Sequence, residues 1–248
     1  MQPEQAAASP AFGKLASLMD ALEARHGGLV GDVNWGGVLN VALDLRGQDL
    51  FLDMLDRPGE VAVQFERIAS VIESFTDALA RRTGTTSISV NRNVRHIAQP
   101  VFLHSECSHT MISCADYERL LLPLDRAWSR RHRPFGIHYC GADPHRFAES
   151  FAKVGGLDFL DVGWGGDVGV LRRALPNTFL NIRYSPVEIA RQSPDEIRST
   201  VRRLVKESAE PRLTGVCCIN MDQDVRDEQI EALLDETRAM REEHALAG

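Results

Sequence analysis

Imidazole and thiol groups meet in two short stretches of this chain. In Gly136-Ile137-His138-Tyr139-Cys140-Gly141 a histidine and a cysteine stand two residues apart, and in Val216-Cys217-Cys218-Ile219 two cysteines are adjacent. Side chains two apart on a strand project to the same side, so His138 and Cys140 can share a ligand while Tyr139 opposes them. Taken alone, such a pair is equally at home on a core strand as a buried cysteine and a hydrogen-bonded histidine. The second stretch changes its weight. If the later strand is brought round to the same mouth, Cys217 or Cys218 can add a second thiolate, and strand register decides which of the two faces inward. One nitrogen and two sulfurs match the donor preference of zinc and leave a tetrahedral position open for substrate, which is the arrangement of a catalytic site.

Other residues are placed to assist. His104-Ser105-Glu106-Cys107-Ser108-His109 is rich in ligand types, and Glu106 is read as an acid facing the pocket, with capping and loop hydrogen bonding as the alternative. Asp161 ends a strand beside Gly163-Trp164, where a carboxylate can orient a ligand histidine or a substrate, with a strand-end hydrogen bond to a neighbouring loop as the alternative. Trp164, Arg183 and Tyr184 lie at strand ends or in the loops after them and are candidates for substrate binding, with Arg183 suited to an anionic group and a surface ion pair as its alternative.

These residues need a scaffold that gathers strand ends. Helical periodicity runs through Phe12 to Arg25 and Val61 to Arg82, and strands are expected at Thr86 to Val90, Phe135 to Cys140, Phe159 to Val162, Phe179 to Ile182 and Gly215 to Ile219. Helices are expected at Tyr117 to Arg131, Pro144 to Val154, Pro186 to Ala190, Pro194 to Glu207 and Asp227 to Glu243, the fourth opened by the cap Ser193-Pro194-Asp195-Glu196. Strand and helix in alternation predict an α/β fold with a parallel sheet, and the carboxyl ends of such strands are where barrel enzymes assemble their sites. Gly163-Trp164-Gly165-Gly166 follows a strand without the glycine spacing of a dinucleotide turn, which favours a barrel over an open doubly wound sheet and makes this a loop near the site's mouth.

The chain has 248 residues, 44% apolar and 25% charged, enough for one barrel-sized core, and no repeat or linker divides it. A single domain over residues 1–248 is expected, with residues 1–28 an N-terminal helix. With 28 basic and 35 acidic residues the net charge is −7, which disfavours nucleic acid as a partner. No signal-peptide pattern and no apolar run of ~18 to 20 residues is visible, so a soluble cytoplasmic protein without a membrane partner is expected. Cys107, Cys114, Cys140, Cys217 and Cys218 form an odd, irregular set, expected as reduced thiols free to bind metal.

Three stretches resemble the uroporphyrinogen decarboxylase superfamily. They are Met111-Ile112-Ser113 through Tyr117 to Leu122-Pro123 and Asp125; Ile137-His138-Tyr139-Cys140-Gly141; and Ser193-Pro194-Asp195-Glu196-Ile197 with the cysteine-bearing strand and Glu228-Gln229-Ile230. The resemblance spans Gly31 to Glu243 and implies a (β/α)8 barrel. It is nearest to the branch that transfers methyl groups between corrinoids and thiols, in which His138, Cys140 and one of Cys217 and Cys218 would be zinc ligands. That branch implies a methylcorrinoid on a partner protein as donor and a small-molecule thiol as acceptor. An arginine-rich N-terminal block and an aspartate, both characteristic of true decarboxylases, are lacking, so tetrapyrrole decarboxylation ranks second. About six strands are visible against the barrel's eight, which predicts an N-terminally shortened barrel. A third reading follows, a non-catalytic binding subunit that forms a homo-oligomer or is completed by another subunit.

Overall fold

A computed structural model describes residues 2–29, 35–84, 99–221 and 223–245. The chain divides into two compact units, Met1–Phe135 and Gly136–Gly248. The expected strand Thr86 to Val90 lies outside the described residues.

The first unit is mainly helical: α1 (Pro3–Ala7), α2 (Pro10–His26), α3 (Val38–Arg46), α4 (Asp49–Asp56) and α5 (Pro58–Thr83) precede strand β1 (Phe102–Ser105), and α6 (Cys114–Leu120) and α7 (Leu122–Arg131) follow it. The Ser9 side chain accepts from Phe12 N and Pro10 opens α2, while Gly27 and Gly84, both at φ 72°, close α2 and α5 in the left-handed conformation that costs glycine little. Of the periodic residues Val63, Phe65, Ile68, Val71, Ile72, Phe75 and Leu79 of α5, Phe65, Ile68, Ile72 and Leu79 are buried and Val71 and Phe75 half-buried, whereas Val63 is exposed and Val61 is buried in its stead. The one helix expected over Tyr117 to Arg131 is two. Pro123 has no amide hydrogen and its ring excludes the carbonyl four residues back, so the helix restarts at Leu122. Phe102 of β1 lies against Trp128 and His132, with ring centroids 5.3 and 4.3 Å away, and its amide donates to Pro134 O at 3.0 Å. That bond sets β1 beside the start of β2 (Phe135–Tyr139), whose first residue belongs to this unit.

The second unit carries the rest of β2 and then α8 (Ala148–Ala152), β3 (Phe159–Val162), α9 (Val168–Ala174), β4 (Phe179–Arg183), α10 (Pro186–Arg191), α11 (Pro194–Glu207), β5 (Thr214–Cys217) and α12 (Asp227–Ala245). β2, β3, β4 and β5 pair in parallel in chain order, so the fold is α/β with a parallel sheet and helical crossovers. Val162 and Ile182 are buried on one face, and Ile189, Ile197, Val201, Val205, Ala232, Leu233 and Met240 pack together between α10, α11 and α12. Ser193 and Glu196 form a full capping box at the start of α11. The last strand ends at Cys217, two residues earlier than expected, and Asn220 turns the chain at φ 57°.

Arg172, buried on α9, fastens this unit from within. Its Nε donates to Ser208 O at 3.1 Å, Nη1 to the carbonyls of Leu175, Pro176 and Thr178 at 3.0, 3.2 and 2.8 Å, and Nη2 to Leu213 O at 2.9 Å. These carbonyls belong to the connections that feed β4 and β5. Arg172→Ala is expected to destabilise the protein by about 3 kcal/mol, because several buried acceptors lose a charged donor. Arg172→Lys should recover only part of this, since an ammonium cannot reproduce the planar fork of donors. Urea midpoints of the three proteins measure both effects.

Candidate metal and substrate site

Parallel register lays the polar side chains out in rows. His138 of β2 is level with Asp161 of β3, Asp161 with Asn181 of β4, and Asn181 with Gly215 of β5. Two residues further along, on the same face, Arg183 is level with Cys217, while Cys140 and Gly163 stand just past the ends of β2 and β3. One row below, the rings of Phe159 and Phe179 stack with centroids 5.8 Å apart. Aromatic floor, polar middle and ligand-bearing rim therefore follow one another toward the carboxyl ends, where parallel α/β folds do their chemistry.

His138 is held by its neighbours. Asp161 is fully buried, and its Oδ2 lies 2.5 Å from His138 Nδ1. With Nδ1–H donated to the carboxylate, Nε2 is the nitrogen left for a ligand. Burial opposes the charged imidazole, but hydrogen bonds to Asp161 and Cys140 and the charge of Asp161 outweigh it, so the pKa of His138 is raised. A ring nitrogen of His138 and Cys140 Sγ lie within 4.8 Å of each other. Zinc bonds of about 2.1 Å to nitrogen and 2.3 Å to sulfur need the two donors roughly 3.6 Å apart, within reach of a small side-chain rotation. His138 is buried and Cys140 exposed, so the pair opens to solvent on the sulfur side. An imidazole oriented through Nδ1 and a neighbouring thiol are donor types that suit zinc, while Cys217 is not among the donors that lie within 4.8 Å of both.

Strand alternation also separates the two adjacent cysteines. Cys217 stands on the His138 face, where Asn181 Nδ2 donates to its Sγ at 3.5 Å. Cys218 is directed away, against the apolar cluster of α10, α11 and α12. Burial, and then the charge of Asp161, push the Cys217 thiol up to about 12, and burial pushes Cys218 up to about 11. Without metal, both are thiols at neutral pH. The folded protein keeps the Cys217 proton above the ordinary thiol value of 9.0, where the unfolded chain has lost it. Stability is therefore expected to fall as pH rises from there toward about 12. Cys217→Ala should flatten that decline, read from denaturation curves of metal-free protein at increasing alkaline pH.

The loop after β3 is pressed onto the turn that carries Cys140. Gly163 N donates to Tyr139 O at 2.8 Å, and a Cβ on Gly163 would stand 2.1 Å from Gly141 O and 2.8 Å from Cys140 O. Gly166 leaves room for Pro144, whose Cγ would be 2.6 Å from a Cβ there. Trp164 stacks on Tyr184 with centroids 4.8 Å apart and ring planes at 11°. Tyr184 is itself a core residue, its hydroxyl donated to Gln192 Oε1, so it supports Trp164 from beneath on the side of the sheet opposite Arg183. Arg183 is largely buried; its Nε lies 3.9 Å from Asp161 Oδ1 and has no hydrogen-bond partner among the described residues.

Glu106 and His104 belong to the first unit, where both are fully buried. Glu106 Oε2 accepts from Leu39 N at 2.8 Å and Oε1 from Ser108 N at 3.1 Å, so the carboxylate caps the start of α3. Burial raises its pKa. His104 Nδ1 lies 2.7 Å from Asp125 Oδ1, Tyr117 donates to Asp125 Oδ2 at 2.7 Å, and Val38 N donates to His104 Nε2 at 3.2 Å. A donor at Nε2 and an acceptor at Nδ1 define the neutral imidazole. Of the two roles open to this segment, capping and loop hydrogen bonding are what its contacts display. Two residues that sequence reading did not single out, Asn181 and Gly163, hold the site in the second unit. The first carries one signal, a polar residue inside the apolar run Leu180 to Ile182.

A parallel α/β sheet with an oriented histidine and a cysteine at its carboxyl rim describes a class of scaffold shared by many enzymes. No family model matches the chain, and no curated protein matches it. Among solved structures, a methyltransferase from Methanosarcina mazei superposes with a TM-score of 0.63 at 12% identity, over 89% of this chain and 62% of its own. The chain thus spans less than two thirds of that protein's length, and the likeness is one of fold. Among the described residues, no helix is long and apolar enough to cross a membrane.

Proposed function

We propose that this chain is a zinc-dependent methyltransferase of the uroporphyrinogen decarboxylase type that passes a methyl group from a methylcorrinoid to a thiol. The observation that carries the reading is His138 held through Nδ1 by Asp161 with Cys140 beside its ring at the strand end. The methyltransferase with the same fold supports it.

In this reading His138, Cys140 and Cys217 would hold the metal, Asp161 fixes the imidazole, and the guanidinium of Arg183, whose Nε makes no hydrogen bond among the described residues, pairs with an anionic group of the substrate. Zinc supplies Lewis acidity that keeps an acceptor thiol ionised at neutral pH. Transfer would join the acceptor's sulfur to the methyl carbon of the methylcorrinoid co-substrate, which would depart with the bonding electron pair, and the thiol proton would pass to solvent. Trp164, braced on Tyr184, borders the Cys140 turn and narrows the approach.

Protein produced with zinc present should hold about one zinc per chain and convert methylcobalamin and a small thiol to the thioether. Acceptors bearing a carboxylate or sulfonate should be preferred, and Arg183→Ala should remove that preference. Chain free of zinc, or transfer that does not need it, would overturn the proposal.

A further inference from the structure

The carboxylate of Asp161 has two oxygens with different duties. Oδ2 faces His138 Nδ1 at 2.5 Å, and Oδ1 accepts from Asn181 Nδ2 at 2.9 Å. Arg183 Nε is 3.9 Å from Oδ1, an ion pair beyond hydrogen-bond distance, so the amide supplies the one hydrogen bond to Oδ1 among the described residues. The same Nδ2 carries a second hydrogen, directed at Cys217 Sγ at 3.5 Å. Both donors of one neutral group are thus spent on two members of the site. On the other side of the amide, Gly215 leaves room, since a Cβ there would stand 3.3 Å from Asn181 Oδ1 and 3.0 Å from the ring of Phe179.

We propose that Asn181 is a positioning residue for this site: it locks the Asp161 carboxylate so that His138 is kept in the single tautomer that leaves Nε2 for the metal, and it holds Cys217 in the same frame. The metal part of this inference rests on the proposed function, whereas the tautomer part concerns the protein alone. The chemistry explains the residue type. An aspartate at this place would set a second anion against Asp161, and a leucine of similar volume would leave Oδ1 without a donor in a site from which water is excluded. A flipped amide would point its oxygen at the carboxylate, so the orientation follows from the network. Without the donor, Asp161 is free to turn about its last torsion, and the imidazole loses the fixed acceptor that selects its tautomer.

The test uses full-length, metal-free protein labelled with 15N in histidine, with the His138 signals assigned by their loss in His138→Gln. At a pH above the titration of the imidazole, wild type should show one protonated nitrogen and one bare nitrogen for His138. Asn181→Leu and the milder Asn181→Ser should average the two signals, and both should weaken zinc binding about 10–100-fold. An asparagine that merely fills the sheet would lower the melting temperature in these variants and leave the tautomer alone, which overturns the inference. If wild-type protein binds no zinc, the proposed function fails while the nitrogen signals still decide the role of Asn181.

Discussion

Cys140→Ala is expected to strip zinc from the protein while leaving its folding intact, and His138→Ala to strip zinc and destabilise the fold as well. Zinc bound through histidine and cysteine is worth about 10–16 kcal/mol in small structural sites, so one lost ligand costs about 3 kcal/mol, ~100-fold in affinity. The two substitutions part company over what they leave behind. Cys140 is exposed, so its truncation costs His138 one hydrogen bond but leaves the pairing of His138 with Asp161 in place. His138 is the partner of a fully buried carboxylate, so its loss leaves Asp161 Oδ2 without its donor, at a cost of about 3 kcal/mol even with Asn181 and Arg183 still at Oδ1. Metal analysis after dialysis, read beside urea denaturation of the same samples, separates the effects. Full zinc occupancy in Cys140→Ala would remove the cysteine from the site, and a chain whose zinc content ignores both substitutions has no such site.

Gly163→Ala should be the most damaging addition of a single methyl group. The new Cβ would stand 2.1 Å from Gly141 O, well inside any contact distance, and the atoms in the way are backbone that no rotamer change can remove. Either the loop after β3 lifts away or the Cys140 turn is driven outward, and each breaks the hydrogen bond from Gly163 N to Tyr139 O. Overpacking of well-packed sites costs about 1–3 kcal/mol, and a backbone clash of this depth belongs at the upper end or beyond. Because the displaced turn carries Cys140, zinc affinity should fall together with the melting temperature. Gly13→Ala is the matching control: on α2 a Cβ there meets nothing within 4 Å, and helix propensity alone should stabilise by up to about 1 kcal/mol. Equal melting temperatures for Gly163→Ala and wild type would show that the loop yields freely and does not brace the turn.

Much of the scaffold was legible because its signals are local. Ser9, Ser193 and the closing glycines mark helix ends, and the apolar stripe of α5 needs no tertiary partner to be recognised. β2, β3 and β4 were legible as short apolar runs between turns. β1 was not, because its second half is His104 and Ser105, polar residues buried where Val38 N donates to His104 Nε2 and the Asn40 side-chain amide to Ser105 O. The break at Pro123 was readable in principle, yet the periodicity on either side hides it.

For the site, alternation along one strand sufficed to pair His138 with Cys140. Relations across strands depend on register, which the sequence of one chain does not print. That is why Asn181 passed unnoticed between Leu180 and Ile182, why Cys217 and Cys218 could not be told apart, and why Gly163 was read as part of a loop rather than as a clamp. Glu106 shows another limit: the contact of its carboxylate with the amide of Leu39, 67 residues away in sequence, is one that no local pattern announces.

The stack of Trp164 on Tyr184 gives the protein an optical reporter of its own. Of the chain's three tryptophans, Trp35 and Trp128 are buried in the first unit at 6% and 1% exposure, and Trp164 alone is partly open and adjoins the Cys140 turn. Emission that shifts when metal or thiol is added can be traced to it by substitution, so ligand titrations can be followed by intrinsic fluorescence without any label.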